Sequence, residues 1–169
     1  EMTPFDEYIE KNKYPDTFLK KGELKDGVAK LYYFSNYEEY NKYNEETSSS
    51  LSNKHFDDWS TSRKNEYSKN VLESISTTLD ILQNFDDVER VQIELPVDGD
   101  MYVINITDNE MKKFVMEHIE RIRIGTTART NFGKLKEMYE MKDPGFFGYL
   151  NTIIKLIHKP YFDPFMSVK

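Results

Sequence analysis

Arg90-Val91-Gln92-Ile93-Glu94-Leu95-Pro96-Val97-Asp98-Gly99-Asp100-Met101-Tyr102-Val103-Ile104-Asn105-Ile106-Thr107 is the stretch that decides the fold class. Val91, Ile93, Leu95 and Val97 alternate with Arg90, Gln92, Glu94 and Pro96. Beyond Asp98-Gly99, Tyr102, Ile104 and Ile106 alternate with Met101, Val103, Asn105 and Thr107. A period of two places each set on one face of a pleated strand, and Asp-Gly suits the positive φ angles of a tight hairpin turn. A β-hairpin over 90–107 follows. Pro96 has no N–H to donate, so it belongs at a strand end or edge. Asp98-Gly99-Asp100 superficially resembles a calcium loop, but the further oxygen ligands and distal bidentate Glu are missing.

On both sides of the hairpin the period becomes helical. Upstream, Tyr67, Val71, Leu72, Ile75, Leu79 and Leu82 form one apolar stripe, predicting a long helix from about Thr61 to Asp86-Asp87. Trp59 would staple its start. Downstream, Thr107-Asp108-Asn109-Glu110 is a capping box leading into Met111, Val115, Ile119 and Ile122, and Gly125 closes that helix. A modest helix covers Leu135 to Met141. After Asp143-Pro144-Gly145, a wide stripe runs from Phe146 to Ile157 until Pro160 stops it.

Nearer the start, Phe5, Tyr8 and Ile9 make a short helical stripe that Pro15 ends, and Asp26-Gly27 turns into a β-rich run, Val28 to Phe34. Ser35 with Glu38 predicts a cap for a helix carrying Tyr37, Tyr40 and Tyr43, which fades at 47–50. The order α, β, α, long α, β-hairpin, α, α, α segregates helices from strands and predicts the α+β class. The expected sheet is small and antiparallel, about three strands (28–34 and the hairpin 90–107), packed against several helices. Residues 1–169 read as a single domain, with an extended aromatic tail at 160–169.

The composition narrows the function classes. The chain of 169 residues is 38% hydrophobic, enough for one core, and no apolar run approaches the ~20 residues a membrane-spanning helix needs. With no cysteine, disulfide scaffolds, thiol nucleophiles, cysteine zinc sites and Fe–S clusters are excluded. The same absence leans toward an extracytoplasmic or surface-anchored location, with the cytoplasm as the alternative. Residues 1–100 carry a balance of −10 and residues 101–169 a balance of +3. Such asymmetry can steer an anionic partner toward one end, or let the acidic and basic halves attract each other.

No nucleophile elbow, dinucleotide fingerprint, phosphate loop or His-Glu-x-x-His motif is present, so the sequence assigns no catalytic residue and no cofactor. His55, His118 and His158 are far apart in sequence, and His55 with Asp57 or Asp58 has no metal-ligand spacing. The leading expectation is a non-enzymatic interaction module with a protein partner, self included. Its surface candidates are Tyr37, Tyr40, Tyr43, Tyr161, Phe162 and Phe165, because aromatic side chains give contact area at low entropy cost. The first alternative is a small-anion or phosphate binder, or an enzyme, using the Arg-rich loop 121–136. There Arg121, Arg123 and Arg129 flank the hydroxyls of Thr126 and Thr127. The second is a secreted or membrane-anchored accessory protein, whose aromatic tail would touch a membrane peripherally. Nucleic acid is not an expected partner of so acidic a chain.

Overall fold

The hairpin forms in the register that the alternation sets. Val97 pairs with Asp100, Ile93 with Ile104 and Val91 with Ile106. Asp98 and Gly99 make the turn at φ 52° and 87°. The computed structural model describes residues 1–13, 16–44, 51–125 and 131–169. The helices are α1 (Pro4–Asn12), α2 (Tyr37–Tyr43), α3 (Asn53–Ser60), α4 (Lys69–Asn84), α5 (Asp108–Ile124), α6 (Phe132–Glu140) and α7 (Phe147–Lys155). The strands are β1 (Leu19–Lys25), β2 (Val28–Tyr33), β3 (Arg90–Val97), β4 (Asp100–Thr107) and β5 (Met166–Val168). The α+β class holds.

The sheet is larger than the expected three antiparallel strands. It has five, in the order β1-β2-β3-β4-β5, and it is mixed because β2 and β3 run parallel. Two strands lie outside the sequence expectation. β1 reads Leu-Lys-Lys-Gly-Glu-Leu-Lys, too polar to signal a strand, because it is an edge whose outer face meets water. An irregularity between Leu19 and Lys21 also breaks its alternation. β1 joins β2 through Asp26-Gly27 at φ 51° and 78°, the same two-residue turn as in the other hairpin. β5, only three residues long, pairs with β4. The parallel pairing follows from the connection: α2, α3 and α4 intervene between β2 and β3, giving the chain length to return in the same direction.

One sheet face carries the core. Ala29, Leu31, Val91, Ile93, Leu95, Ile104 and Ile106 are all buried, together with Val71, Ile75 and Leu79 of α4 and Met111, Val115 and Ile119 of α5. The opposite face is polar and pairs with itself. Arg90 donates to Asn105 Oδ1 at 2.7 Å, Lys21 lies over the Tyr32 ring, and Lys169 pairs with Glu94. At the β1 edge α1 comes so close that a Cβ on Gly22 would collide with the Ile9 side chain.

The long helix starts later than expected, at Lys69, and Trp59 belongs to the separate helix α3. The segment between them is held by the hairpin turn. Asp98 accepts from Ser62 N at 2.9 Å and from Ser62 Oγ, and its own N–H donates to Ser60 O at 3.0 Å. Beyond the end of the sheet, Phe18, Phe34, Tyr40, Phe56 and Trp59 form a second, wholly aromatic core. Here centroids 4.8–5.5 Å apart keep the Phe18 and Phe34 rings near perpendicular to Tyr40.

Candidate functional site

The helix α5 is built to end in cations. The reciprocal Thr107–Glu110 capping box fixes its start, with Glu110 N donating to Thr107 Oγ1 and Thr107 N to Glu110 Oε1. Its Met111, Phe114, Val115, His118 and Ile119 face inward, which leaves Arg121 and Arg123 in the last turn, where the helix dipole favours positive charge. The two arginines then diverge. Arg123 lies on the exposed side and donates to Glu120 at 2.9 Å, while Lys136 pairs with the same carboxylate. Two cations on Glu120 hold that carboxyl below its usual range.

Arg121 has no such partner. Its guanidinium carbon sits 4.0 Å from the centroid of the Tyr161 ring, which braces the plane from the segment after α7. Its Nε and Nη2 are closed to solvent and make no hydrogen bond. These two nitrogens form one edge of the guanidinium, with parallel N–H bonds that match two oxygens of an oxyanion. No acidic side chain pairs with Arg121 among the described residues.

His118, one helical turn earlier, is 2% exposed. Its Nε2 lies 3.0 Å from the Ile153 carbonyl oxygen, and its Nδ1 is buried without a partner. A carbonyl only accepts, so Nε2 carries the proton and donates. Burial, with Arg121 and His158 adding to it, pushes the imidazole below its usual range. His118, Arg121, Ile122, Leu156, His158 and Tyr161 line one cavity of about 400 Å³ at this end of α5. Two of its lining residues are exposed apolar or aromatic side chains, Leu156 at 43% and Tyr161 at 42%, and Ile124, 75% exposed, precedes the lining Gly125 in the chain.

A second concave region of about 590 Å³ lies between the sheet end and α3, walled by Tyr8, Phe18, Tyr33 and Trp59. The sequence did not single it out, because its aromatic walls come from four separate segments of the chain. Several of its polar groups are already engaged. Trp59 Nε1 donates to Glu73 at 3.0 Å, Lys69 lies 3.8 Å from the same carboxyl, and His55 Nδ1 accepts from Ser52 N at 2.9 Å in the α3 cap. Burial raises the Glu73 carboxyl above its usual range. Among the described residues no three of His, Asp and Glu gather as metal ligands.

The sequence candidates scatter on folding. Tyr40 and Phe162 are fully buried, so neither offers surface; Tyr37 and Phe165 are partly buried. Tyr43, 52% exposed, and Tyr161 remain on the outside. Residues 160–169 are tied into the fold: Phe162 enters the core, Asp163–Phe165 is a 3-10 turn and β5 closes the sheet. Of the anion candidates Arg121 and Arg123 are placed, while Thr126, Thr127 and Arg129 lie outside the described residues. Sequence reasoning missed His118, His158 and Leu156 as neighbours of Arg121, since 37 positions separate Arg121 from His158 and no linear motif spans them. No protein-family model, curated protein or solved structure matches this chain.

Proposed function

We propose that the protein is a non-enzymatic interaction module that docks an acidic protein partner at the face formed by the end of α5, the end of α7 and the turn at Tyr161. The observation that carries this reading is that exposed Leu156 and Tyr161 line one cavity with Arg121 and His158, while exposed Ile124 ends α5 next to Gly125 of the same lining. Aromatic residues and arginine are the side chains enriched in recognition patches, where they act as anchors. The positive balance of residues 101–169 complements an acidic partner. No helix among the described residues is long and apolar enough to cross a membrane.

The test is affinity capture with the purified protein beside an Ile124→Ser/Leu156→Ser double variant and a Tyr43→Ser control, all shown to be folded by circular dichroism. A partner held by parent and control and lost by the double variant is the expected result. Capture that survives the double variant, or the absence of any saturable partner, overturns the reading.

A further inference from the structure

We infer that the cavity walled by Tyr8, Phe18, Tyr33 and Trp59 is a binding site for a small organic ammonium ion. Its volume of about 590 Å³ falls within the range of small-molecule sites. Three helices each turn one side to it, because their lining residues recur at helical spacing: Tyr8 and Asn12 of α1, His55 and Asp58 of α3, Lys69 and Glu73 of α4. Asn12, Asp58, Lys69 and Glu73 are all exposed, so a ligand in the cavity reaches them.

The carboxylate of Glu73 and the aromatic walls meet at one place. Trp59 Nε1 donates to Glu73 Oε2 at 3.0 Å. The Trp59 ring is tilted 48° to Tyr33 with centroids 5.4 Å apart, and 46° to Phe18 at 4.9 Å. The Glu73 side chain is 50% exposed and so stays within reach of a ligand beside those rings.

The charge of the lining selects a cation. Asp16, Asp58 and Glu73 stand against Lys69 alone, and His55 is neutral because its Nδ1 accepts from Ser52 N. Lys54, outside the lining and 84% exposed, pairs with Asp58 at 2.7 Å, and Lys69, 70% exposed, lies 3.8 Å from Glu73. Exposed pairs of this kind contribute little, so a ligand cation displaces either lysine at small cost. Aromatic walls favour the carbon body that an organic ammonium carries and a metal ion lacks. Nor do three metal ligands gather among the described residues.

The cavity shares no residue with the face proposed for a protein partner, so each reading fails by itself. Trp59 is the only tryptophan of the chain, and its fluorescence therefore reports occupancy of this cavity. Isothermal titration and Trp59 emission are followed for the full chain at pH 7.5 with choline, putrescine, the neutral carbon isostere of choline, and glucose. Choline or putrescine is expected to bind saturably with a change in emission, about tenfold or more tighter than the isostere or glucose. A lead of choline over putrescine, or the reverse, assigns the ammonium as quaternary or primary and supports the inference either way. Glu73→Gln, which still accepts from Trp59, is expected to weaken binding about tenfold. Lys69→Gln removes a competing cation and is expected to tighten binding about threefold, which a purely structural role would not do. Absence of heat and emission change with both ammonium ions, equal binding of the neutral isostere, or undiminished binding by folded Glu73→Gln overturns the inference.

Discussion

At the scale of single residues, environment separates side chains that look alike in the sequence. Tyr37, Tyr40 and Tyr43 recur every three positions, yet Tyr40 fills the aromatic core while Tyr43 stands mostly in water. A spacing of three turns each successive residue about 60° short of a full revolution, so a row of three spans the helix from one flank to the other. His118 shows the energetic side of the same point. Its folded pKa lies below the unfolded value of about 6.5, so the unfolded chain binds more protons in the interval between the two. Stability is therefore full above about pH 6.5 and is lost as pH falls from there toward the folded value. Glu73, raised by burial, acts in the opposite sense above the ordinary carboxylate range. Comparing the parent with His118→Gln cancels that contribution. The parent should lose more stability than the variant between pH 7 and 5 by urea unfolding. Equal losses would mean that His118 does not titrate differently in the two states.

At the scale of elements, close approach governs what can be changed. α1 lies on β1 only because Gly22 has no side chain where the Ile9 side chain sits. Gly22→Ala is expected to cost about 1–3 kcal/mol, the range for overpacking a filled site. Ile9→Ala alone should cost about 2–5 kcal/mol. Combined, the two should cost less than their sum, because the smaller residue 9 relieves the clash. A double-mutant cycle by denaturant unfolding measures the coupling; strict additivity would place α1 elsewhere. The hairpins teach a related lesson about legibility. Both turns were readable as Asp-Gly, but only one flanking pair of strands was. β3 and β4 are long enough to show their alternation, whereas β1 is an edge whose charged side chains keep it from pairing with other chains.

At the scale of the whole molecule, the C-terminal segment links parts that are distant in sequence. The Tyr67 hydroxyl donates to Asp163 at 2.7 Å and accepts from Phe162 N at 3.0 Å, joining the segment before α4 to the one before β5. Burial and the Asp163 carboxylate raise the Tyr67 phenol above its usual range, so it remains a donor at any physiological pH. Tyr67→Phe strands the buried Phe162 N–H and should cost about 1–3 kcal/mol. Hydrogen exchange should also quicken across 162–168 while β3 stays protected. Unchanged exchange there would mean that β5 and the core contacts of Phe162 hold the segment without the hydroxyl.

The sequence by itself determined what depends on local period and turn chemistry: the α+β class, the hairpin 90–107, the α5 capping box and the apolar stripes that face the core. Those features arise among neighbours in the chain, where spacing alone sets which side chains share a face. Only the tertiary structure decided the parallel join of β2 to β3, the burial of Tyr40 and Phe162, and the meeting of His118, Arg121, His158 and Tyr161 around one cavity. Each depends on contacts between segments many residues apart. Whether a buried donor finds an acceptor is settled by the packing of whole elements, and no local pattern records it.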